Sequence, residues 1–202
     1  MPRTAPEMPT RLAKAAFDCF ARHGFKRVNL DQVAAAAGVT KGSLYSHYKS
    51  KKQLILAACE HYYTTYHQRV QREIADLIDP AERLHRVLAL SVKTCVADRS
   101  NRVFTTELFA LGLQDAAVRR SWAKFYDDVR RMYEQLLAAV LYGRGRSAED
   151  IRGSVDLMLA AMEGIKQRAA FETHMMQPDE QTRIVEGLLR ILDDELATMP
   201  QS

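Results

Sequence analysis

The chain is poor in the residues that break helices or staple small folds. Nine glycines, six prolines and three cysteines are spread over 202 residues. So little Gly and Pro, with scarce alternation of apolar and polar residues, excludes a turn-rich all-β fold and argues for helices. The cysteines Cys19, Cys59 and Cys95 are odd in number and form no C-x-x-C pair. That excludes a disulfide scaffold, suits a reducing cytoplasm and offers a thiol switch no resolving partner. Apolar runs such as Leu136–Tyr142 are far too short to cross a bilayer, and no signal-peptide pattern opens the chain. The expectation is a soluble cytoplasmic protein with no membrane segment. Its 47% apolar content is enough for a proper core.

Charge is unevenly placed. The formal net charge is +4, yet residues 1–52 hold ten Lys/Arg against three Asp/Glu, and the remainder is slightly acidic. A basic head in front of a mildly acidic body is the balance a phosphate-binding module needs.

Inside that head, residues 29–51 read NLDQVAAAAGVTKGSLYSHYKSK. Asn29 can cap a helix, with Gln32 three residues on to complete a capping box. Leu30, Val33, Ala34 and Ala37 share one helical face, and Gly38 stands where a positive φ ends the helix. Thr40 can cap a second, short helix in which Leu44 and Tyr48 point inward. Lys41, Ser43, Tyr45, Ser46 and His47 then point elsewhere. Ser50 and Gln53 make a further capping box and launch a long helix. Two helices joined by a Gly-containing turn, the second polar on its outer side, form a helix-turn-helix. Its hydroxyls, imidazole and amines suit base edges and phosphates in a major groove.

Ala37-Gly38-Val39, Lys41-Gly42-Ser43-Leu44-Tyr45 and Lys49-Ser50-Lys51 together resemble the DNA-binding segment of the tetracycline-repressor (TetR) family. Val28-Asn29 replaces that family's usual Thr pair, and Tyr48 its usual Phe. Asn still caps, and Tyr still packs. The resemblance is specific over about a quarter of the chain and is one of layout beyond it. It implies that Asn29, Thr40, Lys41, Gly42, Ser43, Tyr45, Ser46, His47 and Lys51 meet DNA. It also implies a homodimer, a small-molecule effector and a three-plus-six arrangement of helices.

Taken in order, Met1–Pro9 reads as a mobile arm whose Arg3, with Arg11 beyond it, lies within reach of phosphates. A first helix follows from Thr10 to about Gly24, with Leu12, Ala16, Phe17, Phe20 and Ala21 on one face. The long helix from Ser50 reaches about Leu77, roughly 40 Å at 1.5 Å per residue, and Asp79-Pro80 ends it. Five more helices are expected, at about 81–98, 101–113, 115–141, 147–171 and 178–196. Ser147 and Asp150 frame the fourth of these, after a Tyr142–Arg146 loop. The fold class is all-α: a DNA-binding domain over 1–52, then an effector-binding and dimerisation domain over 53–202.

Other chemistry is weakly signalled. Ser46-x-x-Lys49 and Tyr45-x-x-x-Lys49 mimic catalytic patterns but lack every companion motif. His61 and His67 are six apart, which is not metal-ligand spacing on one helix face. No catalytic residue, cofactor or metal is expected.

Phe104, Glu107, Leu108, Phe109, Trp122, Tyr126, Met158 and Met162 are helix-borne, and all but one bulky and apolar. Such a stripe is either plain core or, as the resemblance implies, the lining of an effector pocket. Glu107 stands at an edge, pairs with an arginine, or meets a cationic ligand. Leu157, Ala160, Ala161 and Gly164, with Ile184, Leu188 and Ile191 facing them, suit either intrachain packing or a four-helix dimer seam. With these features, the resemblance implies a ligand-responsive repressor on palindromic operator DNA. The alternatives are a DNA-organising protein without effector and an enzyme with an accessory DNA-binding module.

Overall fold

A computed structural model describes residues 7–145 and 151–198, the stretch 193–198 by its backbone alone. Arg3 and the expected helix start at Ser147 and Asp150 lie outside the described residues. The elements, in order, are α1 (Met8–His23), α2 (Leu30–Ala36), α3 (Lys41–His47), α4 (Lys51–Ile74), α5 (Pro80–Val92), α6 (Arg99–Gly112), α7 (Ala116–Gly143), α8 (Arg152–Arg168) and α9 (Pro178–Thr198). A π-helical turn, Lys93–Ala97, follows α5, and a 3-10 turn, Thr173–Met176, precedes α9. Every regular element among the described residues is helical, as the composition requires.

Helix starts follow side-chain capping. Asn29 accepts from Gln32 N at 2.9 Å while Gln32 Oε1 accepts from Asn29 N at 2.8 Å, a complete capping box. Thr40 Oγ1 caps α3 through Ser43 N. Asp79, Asp98 and Asp115 cap α5, α6 and α7. Several boundaries differ from expectation: α4 stops at Ile74 rather than Leu77, and α8 at Arg168 rather than Phe171. The helix α1 begins at Met8, because Pro9 sits in the first turn, where a missing N–H costs nothing. The helix expected over 81–98 leaves α geometry at Lys93. Asp98 N–H reaches back five residues to the Lys93 carbonyl at 3.1 Å, and its side chain turns to cap α6.

The chain divides into two compact units. The first holds the described residues through Gln68 together with Val103–Ala123, and the second holds Arg69–Arg102 with the described residues from Lys124 onward. Helices α4, α6 and α7 contribute residues to both.

In the first unit the core is aromatic. Phe104, fully buried, has ring centroids of Phe17 at 4.9 Å, Phe25 at 5.6 Å and Tyr62 at 5.9 Å around it. Leu12, Val33, Leu44 and Leu54 are fully buried as well, one from each of α1 to α4, and anchor the helix-turn-helix. In the second unit Leu88, Leu137, Leu141, Met158 and Leu188 form the centre. Tyr133 is buried among them; its hydroxyl is 2.7 Å from Ser91 Oγ, so the polar atom is satisfied.

Candidate nucleic-acid interface

The helix α3 has seven residues and buries only Leu44. Leu44 anchors it, and the flanking residues Lys41, Tyr45, Ser46 and His47 are exposed, Tyr45 at 36%. A short helix with one buried side chain gains little from its own packing; its outer surface is free for a partner.

The sequence-derived DNA residues fall into two kinds. Asn29 and Thr40 spend their side-chain oxygens on caps, so they shape the motif. Lys41, Ser43, Tyr45, Ser46 and His47 crowd the outer face. Ser46 Oγ donates to the Ser43 carbonyl at 2.7 Å and keeps its lone pairs outward. Lys41 Nζ lies 5.9 Å from the Tyr45 ring centroid and 2.8 Å from Asp31 Oδ2. The hydrogen bond to Asp31, and then its charge, push the Lys41 pKa up, so the ammonium stays charged at any working pH. Lys51 is only loosely engaged, 3.4 Å from the Lys26 carbonyl.

Gly42 occupies the first turn of α3. A Cβ built there would meet nothing nearer than Thr40 Oγ1 at 4.0 Å. The chain's own packing therefore does not require glycine at this position. Gly38 is different: its φ of 64° does require one.

Three supporting contacts were not visible in the sequence. Arg11 Nη2 donates to the Ala37 carbonyl at 2.8 Å, holding α1 to the turn between α2 and α3. Arg11 is thus a brace of the motif. The Tyr48 hydroxyl reaches the Pro9 carbonyl at 3.4 Å, a contact that a phenylalanine there could not make. Lys52 pairs with Asp115 at 2.6 Å.

The expected effector stripe is divided. Phe104, Glu107, Leu108, Phe109 and Trp122 belong to the first unit, and Tyr126, Met158 and Met162 to the second. Phe104 and Leu108 are fully buried core, whereas Phe109 is 48% exposed. Glu107 is tied within the chain: its Oε2 accepts from the backbone N–H of Phe25. Met158 and Met162 are buried in α8.

The expected seam is also redistributed. Leu157, Ala160 and Gly164 are exposed and Ala161 partly so, giving α8 an outward face of small and apolar residues. Ile184 and Leu188 are instead buried, because α9 packs that stripe against α5 and α8 of its own chain. On α9, Gly187 and Ile191 remain partly exposed.

Among the described residues no three His, Cys, Asp or Glu side chains gather to hold an ion. His61 lies against the Phe17 ring, and burial pulls its pKa down. Burial pushes the Cys59 thiol up to about 12, which leaves it inert. No helix among the described residues is long and apolar enough to cross a membrane.

A capped helix-turn-helix in a basic head, followed by an all-helical body, defines a DNA-binding transcriptional regulator. The sequence model of the bacterial regulatory proteins of the tetR family matches residues 12–58, and that of the BetI-type transcriptional repressor C-terminal domain matches residues 80–194. The chain belongs to the TetR family of transcriptional regulators. It is 39% identical over 56 residues to the helix-turn-helix-type regulator YerO of Bacillus subtilis, a match spanning 28% of this chain and 19% of that protein. It is 23% identical over 168 residues to the regulator CymR of Pseudomonas putida, covering 83% of this chain and 82% of CymR. Against the nucleoid occlusion factor SlmA of Haemophilus ducreyi it is 25% identical over 148 residues, covering 70% and 69%. Two solved structures share the fold. A transcriptional regulator from Pseudomonas aeruginosa PAO1 has a TM-score of 0.76 at 20% identity, covering 95% of this chain and 93% of that one. One from Saccharomonospora viridis in complex with choline has a TM-score of 0.72 at 18% identity, covering 94% and 95%.

Proposed function

We propose that the chain is a ligand-responsive repressor that grips a palindromic operator as a homodimer in the cytoplasm and is released by a small-molecule effector. The observation that carries this is α3, with Leu44 alone buried and Lys41, Tyr45, Ser46 and His47 turned outward. Lys41 and Lys51 bind phosphates and fix register, while Ser43, Tyr45, Ser46 and His47 meet base edges. The open space beside Gly42 lets a phosphate approach the backbone. In this mechanism residues 1–52 read DNA and residues 53–202 dimerise and respond to the effector.

The outward face of α8 supports the dimer. Leu157 is 53% exposed, and a Cβ at Gly164 would meet nothing within 4 Å. With Gly187 and Ile191 of α9, that face pairs with its two-fold copy as a four-helix bundle. The two copies of α3 then enter successive major grooves about 34 Å apart. Because α4 contributes to both compact units, an effector that shifts it changes this spacing. A hundredfold loss of affinity requires about 2.7 kcal/mol of differential binding, within reach of a small ligand.

A second reading, a DNA-organising protein without effector, is favoured by the similarity to a nucleoid occlusion factor. We read the chain as a regulator and not an enzyme in either case. The test is selection of DNA by the purified protein with and without a metabolite pool, followed by gel shift on the selected sequence. Tyr45→Ala and Lys41→Ala are expected to weaken binding and leave the thermal melt unchanged; undiminished binding overturns their assignment. Release by the pool supports the repressor, and indifference to it supports the organising protein.

A further inference from the structure

Within the second unit, the last turns of α4, the start of α5 and the middle of α7 enclose a groove of about 240 Å³. Its walls are apolar: Val70, Ile74, Pro80, Met132, Leu136 and Ala139. Three polar side chains also reach it, Gln71, Gln135 and Arg83. Arg83 is fixed there, because its Nε donates to the Leu77 carbonyl at 2.7 Å in the turn joining α4 to α5. Its two Nη groups have no partner among the described residues. A guanidinium held by Nε presents its Nη pair end-on, which is a geometry that takes both oxygens of a carboxylate.

The lining itself favours the same charge. None of the residues lining the groove is acidic. A second groove beside it carries Arg69, Arg72 and Arg86, of which Arg86 pairs with Glu73 and Glu82. A cation is disfavoured, because the lining holds neither an aromatic face nor an acid to receive one. A groove of this volume suits a small ligand.

We propose that this groove binds a small amphipathic monocarboxylate, its carboxylate on Arg83 and its hydrocarbon part against Ile74, Met132 and Leu136, and that this ligand is the effector. Its effect on operator binding rests on the regulator function proposed above; the binding itself does not. A ligand wedged between Ile74 of α4 and Leu136 of α7 displaces the end of α4, the helix that also contributes to the first unit.

Calorimetry on the full-length protein with hexanoate, hexanol and hexylammonium tests the site. Hexanoate is expected to saturate one site per chain, hexanol to bind at least tenfold more weakly, and hexylammonium to give no heat. Arg83→Gln is expected to weaken hexanoate at least tenfold. Since that variant also loses the bond to Leu77, Ala139→Trp serves as a second block that fills the groove and leaves Arg83 in place. Equal binding of hexanoate and hexylammonium, or hexanoate binding untouched by both variants, overturns the proposal. In gel shift, hexanoate is expected to release the selected operator from the wild type and not from Ala139→Trp; binding without release removes the effector role. A chain that binds its operator but not hexanoate sinks the site alone. A chain that binds hexanoate but ignores duplex DNA upholds the site and sinks the regulator.

Discussion

The carboxylate of Glu107 accepts a hydrogen bond from the backbone N–H of Phe25, 82 residues earlier in the chain. Phe25 follows the end of α1, and its N–H would otherwise be a donor without partner at a buried residue. The fit is close: a Cβ at Gly24 would collide with Glu107 Oε1, and Gly24 has a φ of 79°. Glu107→Ala is therefore expected to cost about 1–3 kcal/mol, the price of an orphaned buried donor. Glu107→Gln keeps an acceptor and should cost less. Gly24→Ala is expected to cost at least ~1 kcal/mol, because φ 79° with ψ 161° is a region open essentially to glycine alone. Urea unfolding checks all three. A Glu107→Ala protein as stable as the wild type would show that the bond contributes nothing.

How far the sequence revealed this depends on the range of each interaction. The Asn29–Gln32 box could be read directly, because both partners lie within one turn. The Ser50–Gln53 box was half right: Gln53 N lies 3.3 Å from Ser50 Oγ, but Gln53 Oε1 takes the N–H of Lys49 instead. The helix-turn-helix, the all-helical class and the family were legible for the same local reason. Glu107 was not, since periodicity shows that a position faces inward and not what it meets there. The same gap made Phe104 a candidate pocket wall, when Phe17, Phe25 and Tyr62 enclose its ring. It also placed Ile184 and Leu188 at a seam, although α5 and α8 of the same chain cover that stripe.

In the proposed operator complex Asp31 competes with DNA for Lys41. Their 2.8 Å contact is exposed on both sides, so it adds little to stability, and phosphate must displace the carboxylate. Asp31→Asn removes a negative charge beside the reading face and frees the ammonium. Operator affinity is expected to rise several-fold, with an unchanged melt. Lys41→Ala is expected to lower the slope of log affinity against log salt by about 0.9, one phosphate contact. Titrations at four salt concentrations separate the two effects; an Asp31→Asn protein that binds more weakly would mean the carboxylate orders the face.

Gly42 lends itself to an experiment in which stability and function move in opposite directions. Alanine is the better helix former by about 0.5–1 kcal/mol, and nothing in the chain blocks its Cβ. Gly42→Ala is expected to leave the fold as stable or slightly more so, yet to weaken operator binding at least tenfold. Thermal melts and gel shifts on one preparation suffice. Unchanged DNA affinity would mean that no phosphate comes close to this turn.

The proposed seam can be blocked without touching the core. Gly164 is exposed, so Gly164→Trp adds a large side chain where the protomer has room for it. The fold is expected to persist, and the sedimentation coefficient to fall to that of a monomer. Operator affinity should drop with it, since one head gives up the contribution of the second. An unaltered sedimentation profile would place the dimer contact elsewhere.

Acid should weaken the link between Lys52 and Asp115 in a definite direction. The hydrogen bond from Lys52 at 2.6 Å, followed by the N–H of Val118, holds the Asp115 carboxyl below its ordinary value of 3.8. The folded state therefore binds a proton less readily than the unfolded chain. The stabilising contribution is complete above pH 3.8 and is lost as pH falls through the depressed folded value. Asparagine can still cap α7, so Asp115→Asn removes the charge and keeps the cap. The gap in urea midpoint between wild type and Asp115→Asn is expected to be constant from neutral pH down to about 4 and to close below it. Lys52→Met should reproduce the neutral-pH loss. A gap that persists unchanged into strong acid would show that it does not arise from the charge of Asp115.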